Sequence, residues 1–167
     1  MDASRPNVAI RPARADDLPL VERIRQAAFA PVFTSFRSLL GDALYALVQA
    51  RADEAQQDLL VSLLAPESGW EVYVAEGAGT VVGFVAIQLN HETRVGEIGL
   101  NAVHPDHAGQ GIGTAMYHFA LARMKDAGMR VATAATGGDP SHAPARRAYE
   151  KAGFTVHIPS VWLCRKL

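Results

Sequence analysis

The sequence predicts an α/β fold of the α+β kind, in which a mixed β-sheet carries helices on its faces. Three observations carry that expectation. The periodic segments run strand, helices, three strands, helix, strand, helix, two strands. The strand-like segments of the second half are short, apolar and separated by turns such as "GAGT" and "HETRVG". The chain has 167 residues, 49% of them hydrophobic, which suits one domain with a sizeable core.

The elements follow in order. "NVAIRPA", residues 7–13, reads as a short strand. "ADDLPLVERIRQAAFAPVF" reads as a helix, because Leu20, Ile24, Ala27 and Ala28 recur at helical spacing behind Asp16 and Asp17. Pro31 is expected to end it. Residues 35–66 read as one or two further helices, interrupted near Gly41 and the charged patch at 51–54.

"WEVYVAE" and "VVGFVAIQL" then read as strands, the second apolar nearly throughout and so covered on both faces. "EIGLNAV" is the next strand. A helix follows the glycine-rich stretch after it and ends near Gly128. "RVATAA" is expected as a buried strand. "SHAPARRAYEKAG" is expected as a helix, with Ser141 as its cap and Pro144 in its first turn, where a missing N–H costs nothing. "FTVHI" and "VWLCRKL" read as two closing strands, with Cys164 a small apolar residue on the last.

Composition removes several function classes. There are 16 basic and 17 acidic residues, a formal net charge of −1, and no basic footprint for nucleic acid. The single cysteine permits neither an internal disulfide nor a cysteine metal site. No apolar run reaches the roughly 18 residues of a membrane span, and "MDASRPNVAI" lacks the apolar core of a signal peptide. These features suggest a soluble, cytoplasmic protein with no membrane partner. A homodimer stays open.

The chemistry-bearing stretch is "HPDHAGQGIGTAMYHF", residues 104–119. Gly109, Gly111 and Gly113 alternate at the entrance to a helix. Bare backbone N–H groups there join the unpaired first amides and the positive end of the helix dipole. Such a nest takes an anion, most often a phosphate, although a flexible loop would also use glycine. A P-loop is ruled out because Thr114 and Ala115 follow Gly113 where Lys-Ser/Thr is required. The G-x-G-x-x-G fingerprint fails as well, since its last place holds Thr114 or Met116.

A strand ending "NAVHP", the turn "GQGIG" into a helix, a further strand and a helix ending "AYEKAGF" together resemble the GNAT superfamily of acetyl-CoA-dependent N-acetyltransferases. The resemblance covers about residue 70 to the C-terminus, with a weaker echo in the first strand and helix. It implies a single domain with a mixed, mostly antiparallel sheet. The acetyl-CoA core would span about 70–167, and a helical, acceptor-selecting region about 17–65. In the latter, Phe29, Phe33, Phe36, Leu39, Leu40 and Tyr45 are either core or pocket lining.

The resemblance further implies that backbone N–H groups of His107 to Thr114 cradle the coenzyme pyrophosphate. Coenzyme contacts would come from Leu100, Ala102 and Val103 on the strand. Ala108, Gly109, Gln110, Gly111, Ile112, Gly113 and Thr114 would supply the loop contacts, and His142, Ala145 and Tyr149 those of the later helix. Ala108 departs from the pattern, which usually has Arg or Gln there, so one side-chain contact is lost. His142 stands where the family often has Asn.

Tyr149 would protonate the departing thiolate; its alternative is a core tyrosine packed on the sheet. The acceptor amine, with an ordinary pKa of about 10.4, must shed a proton before it attacks. Glu97 is the first candidate for that base, placed by period two on one face with Gly99 and Asn101. Its alternative is a surface ion pair with Arg94, and His91, Glu92 and Asn101 are weaker candidates. A backbone N–H near Leu100 to Ala102 would stabilise the oxyanion. The implied function is transfer of an acetyl group from acetyl-CoA to an amine acceptor by direct attack in a ternary complex, with no metal. A non-catalytic acyl-CoA-binding sensor on the same fold is the alternative.

Overall fold

Five strands lie in one sheet in chain order, in a computed structural model that describes residues 7–167. They are β1 (Ala9–Pro12), β2 (Trp70–Gly77), β3 (Thr80–Asn90), β4 (Val95–Val103) and β5 (Val131–Ala134). The first three pairings are antiparallel and β4–β5 is parallel, so the sheet is mixed and mostly antiparallel, as expected. A parallel pair needs a crossover, and α4 (Ile112–Asp126) supplies it. The β2–β3 hairpin turns on Ala78 and Gly79, both at positive φ, the backbone a two-residue connection favours.

β3 is buried from Val81 to Ile87, which explains its unbroken apolar run. On one face Val85, Ile87 and Ile98 pack against Ile112, Met116, Tyr117, Ala120 and Met124 of α4, and against Tyr149 of α5 (Ala143–Lys151). On the other face Val74, Phe84 and Ala102 meet Val21 and Ile24 of α1 (Leu18–Val48) and Leu60 of α3 (Gln56–Leu64). Phe84 is fully buried, and truncating it to alanine would cost about 3–5 kcal/mol. Gly96 lets α4 lie close on the sheet: a Cβ there would meet Met124 Sδ at 2.6 Å.

Four expectations need correction. Pro31 does not end the first helix; α1 continues through it and breaks instead at Gly41, whose φ of 72° is non-helical. A proline forfeits one hydrogen bond of a long ladder, whereas a left-handed glycine redirects the chain. The charged patch at 51–54 is not a gap but the body of the short helix α2 (Ala50–Glu54), with the breaks at Gln49 and Ala55.

The two closing strands are not formed. Residues 154–167 have no regular structure, and Val156, Ile158, Val161 and Leu163 are exposed, as is Cys164. Their alternation is present, but no neighbouring strand pairs with it. β5 is consequently an edge strand and only half covered, with Val131 54% exposed, rather than a buried one. No helix among the described residues is long and apolar enough to cross a membrane.

Candidate active site

The path from β4 into α4 is a single 3-10 turn followed by the glycines. His104 Nδ1 accepts the Asp106 N–H at 3.3 Å, His107 N–H donates to His104 O, and Ala108 N–H to Pro105 O. The helical ladder resumes only with Ala115 N–H donating to Gly111 O at 2.9 Å. Between these bonds, no backbone N–H from Gly109 to Thr114 has an acceptor among the described residues.

Gly109 and Gly111 hold φ values of 75° and 80°, which L side chains disfavour. Gly113 lies in ordinary helix, and a Cβ there would meet Val103 Cγ2 only at 3.9 Å. Backbone shape therefore requires the first two glycines, while nothing among the described residues requires the third. No acidic residue occupies the first turn of α4, and Arg123 and Lys125 lie in its last turn. The dipole thus faces an empty row of donors, an arrangement that accepts an anion.

The second part of the site is a defect in β4. Val85 pairs with Asn101 and Ile87 with Ile98, so Gly99 and Leu100 together oppose Ala86 in a β-bulge. A Cβ on Gly99 would strike Trp70, and Leu100 packs with Leu63, Leu64 and Val72; both therefore face the α1–α3 side. The bulge then returns Asn101 to the α4–α5 side. Strict period two had placed Glu97, Gly99 and Asn101 on one face, and the bulge corrects that: Asn101 is opposite to the other two. The β4–β5 pairing also stops at Ile98↔Ala134, so the edge from Gly99 to Val103 has no β5 neighbour.

Tyr149 enters at this unpaired edge. It is 6% exposed, its ring stacked on Tyr117 at 4.2 Å and 6°, with Phe154 edge-on at 5.3 Å. Asn101 Nδ2 donates to the Tyr149 hydroxyl at 3.0 Å, and Tyr117 donates to Asn101 Oδ1 at 2.8 Å. Burial pushes the Tyr149 hydroxyl above its ordinary range, while Tyr117 and Asn101 oppose that rise. Ala145 and Ala152, four residues before and three after Tyr149 and so on its helix face, pack in the same core. Tyr117 was not singled out in the sequence. A tyrosine at a buried helical position needs a partner for its hydroxyl, and that is the one signal that points to it.

His142 is not a free first-turn side chain. Its Nδ1 lies 2.5 Å from Asp139 Oδ1, and its ring lies 6.0 Å from that of Phe36. Asp139 Oδ2 accepts the Ser141 backbone N–H at 3.0 Å, the Ser141 hydroxyl, and the Ser35 hydroxyl at 3.1 Å. Asp139, rather than Ser141, caps this turn.

Glu97 is exposed on the strand, in an open recess of about 300 Å³ that it shares with Gln88, Asn90, Thr93, Val95 and Thr133. It makes no ion pair with Arg94 or any other described residue. His91 and Glu92 sit on the exposed β3–β4 turn, apart from the other candidates. In the helical region Phe29 packs in the core, whereas Leu39 is 67% exposed.

Comparison with known proteins shows the family and the fold. Residues 33–154 match the acetyltransferase (GNAT) family. A mycothiol acetyltransferase of Sanguibacter keddieii is 33% identical over 146 residues, covering 78% of this chain and 45% of that protein. A mycothiol acetyltransferase of Streptomyces coelicolor is 31% identical over 85 residues, 51% of this chain and 27% of that protein. The chain thus spans less than half the length of these curated relatives. Among solved structures, a GNAT-family protein from Desulfovibrio desulfuricans superposes with a TM-score of 0.68 at 23% identity, covering 90% of this chain and 87% of that one. A GNAT acetyltransferase from Brucella melitensis in complex with acetyl-CoA gives 0.62 at 22% identity, with 90% and 84% covered. The two superpositions show a shared fold.

Proposed function

The chain belongs to the GNAT acetyltransferase family, and from that premise we propose that it transfers an acetyl group from acetyl-CoA to an amine acceptor. The observation that carries the reading is the unbroken run of amides from Gly109 to Thr114 that have no partner among the described residues. Those N–H groups bind the coenzyme pyrophosphate, and exposed Gly109, Gln110 and Gly111 leave the approach clear. Leu100, Ala102 and Val103 line the unpaired β4 edge along which the acyl arm lies, and one of its backbone N–H groups steadies the carbonyl oxygen. Ala145 and His142 border the same arm from the start of α5.

Two side chains handle the protons. Glu97, accessible and unpaired, takes the proton that the amine sheds as its nitrogen bonds the acetyl carbon. Tyr149 gives its proton to the sulfur as the carbon–sulfur bond breaks. An amide and a free thiol leave. With its hydroxyl raised by burial, Tyr149 remains a donor at neutral pH. The alternative reading, a sensor that binds acyl-CoA without turning it over, draws on the missing side chain at position 108. It leaves unused the Tyr149 proton, which has no acceptor among the described residues.

Turnover of acetyl-CoA with a panel of amines tests the reading, with Tyr149→Phe as the companion variant. The expected loss in kcat is about 10²–10⁴-fold with coenzyme affinity kept. Binding without turnover by any amine would favour the sensor. Turnover undiminished in Tyr149→Phe would remove the acid assignment. Glu97→Gln should flatten the acidic limb of the pH profile and hurt acceptors that are already free amines least.

A further inference from the structure

We propose that Asn101 and Tyr117 are positioning residues that aim the Tyr149 hydroxyl and decide which of two stacked tyrosines gives up its proton. The inference rests on the reading of Tyr149 as the acid, and it follows from accounting for each hydrogen. The Asn101 amide has two N–H groups and one oxygen. One N–H donates to Gly99 O at 2.8 Å, on the bulge itself. A carbonyl can only accept, so that atom of Asn101 must be nitrogen, and the amide orientation is fixed.

The second N–H then reaches the Tyr149 oxygen at 3.0 Å, and Oδ1 faces the Tyr117 hydroxyl at 2.8 Å. Tyr117 must therefore donate, and its proton is committed. The Tyr149 oxygen must accept, and its proton has no acceptor among the described residues. One side of that oxygen is blocked by Asn101, so the proton points to the other, away from the amide.

Stacking keeps this arrangement in place. The rings of Tyr117 and Tyr149 lie parallel at 4.2 Å, and Phe154 closes the edge of Tyr149. Burial pushes the Tyr117 hydroxyl far above its ordinary value, and Tyr149 adds to the rise. Burial raises the Tyr149 hydroxyl too, but the neighbouring Tyr117 hydroxyl and the Asn101 N–H work in the opposite direction. The hydrogen bonds make the two phenols unequal: the Tyr117 proton is held by Asn101 Oδ1, and the Tyr149 proton is the one left to give. After transfer to the sulfur, the Tyr149 phenolate keeps the Asn101 N–H bond until a solvent proton restores the hydroxyl. The bulge is what makes this possible, since without it Asn101 would face the other side of the sheet.

The test combines titration with kinetics. Tyrosine labelled with carbon-13 at Cζ lets the Tyr149 hydroxyl be titrated by NMR, whether or not the enzyme is turning over. In Asn101→Ala, and more weakly in Tyr117→Phe, the Tyr149 titration should move to higher pH. In both, kcat should fall, by about 10-fold in Tyr117→Phe, with the KM for acetyl-CoA unchanged and the basic limb of the pH profile displaced upward. In a Tyr149→Phe background, adding Tyr117→Phe should lower kcat no further. An unmoved Tyr149 titration in both variants overturns the proposal. If Tyr149→Phe turns over normally while the titration moves as expected, the acid reading fails and the positioning stands. Thermal melts confirm that the variants remain folded, and Tyr117→Phe, which keeps the ring stack, serves where Asn101→Ala does not.

Discussion

α4 and α5 begin alike and end up opposite. Each is preceded by a single 3-10 turn with proline at its start, Pro105 before α4 and Pro140 before α5. At α4 the chain then spends three glycines, and no amide from Gly109 to Thr114 has an acceptor among the described residues. At α5 it spends Asp139, Ser141, His142 and Arg146. The carboxylate takes the Ser141 amide and hydroxyl, and Arg146 binds the Gly137 and Asp139 carbonyls. Ser35 of α1 joins the same carboxylate, and Gly137 leaves room for it, since a Cβ there would meet Asp139 Oδ1 at 2.6 Å. Both helix dipoles are positive at this end. What separates a ligand site from a structural clamp is whether the protein supplies its own anion.

Filling the vacant entrance should produce the largest effect. Gly111→Val places a branched side chain at φ 80° in front of the amides, and acetyl-CoA affinity by calorimetry should fall at least about 100-fold in a protein that still folds. Unchanged affinity would mean that the phosphates sit elsewhere.

Emptying the filled entrance should cost stability instead. Burial opposes the charge on Asp139, but hydrogen bonds from Ser141 and His142 outweigh it and bring the carboxyl down to about 2. Because the folded value is depressed, the stabilisation is complete above the ordinary carboxylate range and is lost as pH falls towards 2. Its size is about 2 kcal/mol, and Asp139→Asn should lose most of it in denaturant melts at neutral pH, with acetyl-CoA affinity little changed. A large loss of affinity at full stability would show that the α5 entrance also binds the ligand.

Gly113→Ala sharpens the contrast from inside α4. The protein has room for the methyl group and the helix favours alanine, so melting should rise or stay level. Any loss of affinity, about 10-fold if the phosphate crosses this position, reports the ligand alone. The smallest effect concerns Ala108, which is exposed beside the empty amides. Ala108→Arg should tighten binding by about 1 kcal/mol through a charge-assisted bond, and weaker binding would show that His107 already fills the space.

Much of this was legible in the sequence. Short apolar segments bounded by turns marked β2, β3 and β4 because each has at least one buried face, and glycine spacing marked the bend into α4 because backbone shape demands it at Gly109 and Gly111. Spacing of i−4 and i+3 puts Ala145 and Ala152 on the helix face of Tyr149, and they share its core. The bulge did not show, since Gly99 and Leu100 carry no local mark of pairing two-to-one with Ala86. With the bulge unseen, Asn101 was assigned to the wrong face and Tyr117 had no visible partner. The chain after Phe154 has the alternation of a strand, and pairing depends on a neighbour that periodicity does not describe. Asp139 outcompeted Ser141 as the cap because its carboxylate reaches the Ser141 amide, a choice between adjacent residues that composition leaves open.

The bulge also shapes how this stretch can drift in evolution. Removing either Gly99 or Leu100 would leave a single residue opposite Ala86 and restore regular pairing, with Asn101 still opposite Val85 and still on the α4–α5 side. A deletion with no bulge to absorb it shifts the register by one and turns the residues beyond it to the other face. The bulge is therefore the place where a lineage carrying this strand can change its length by one residue and keep Asn101 aimed.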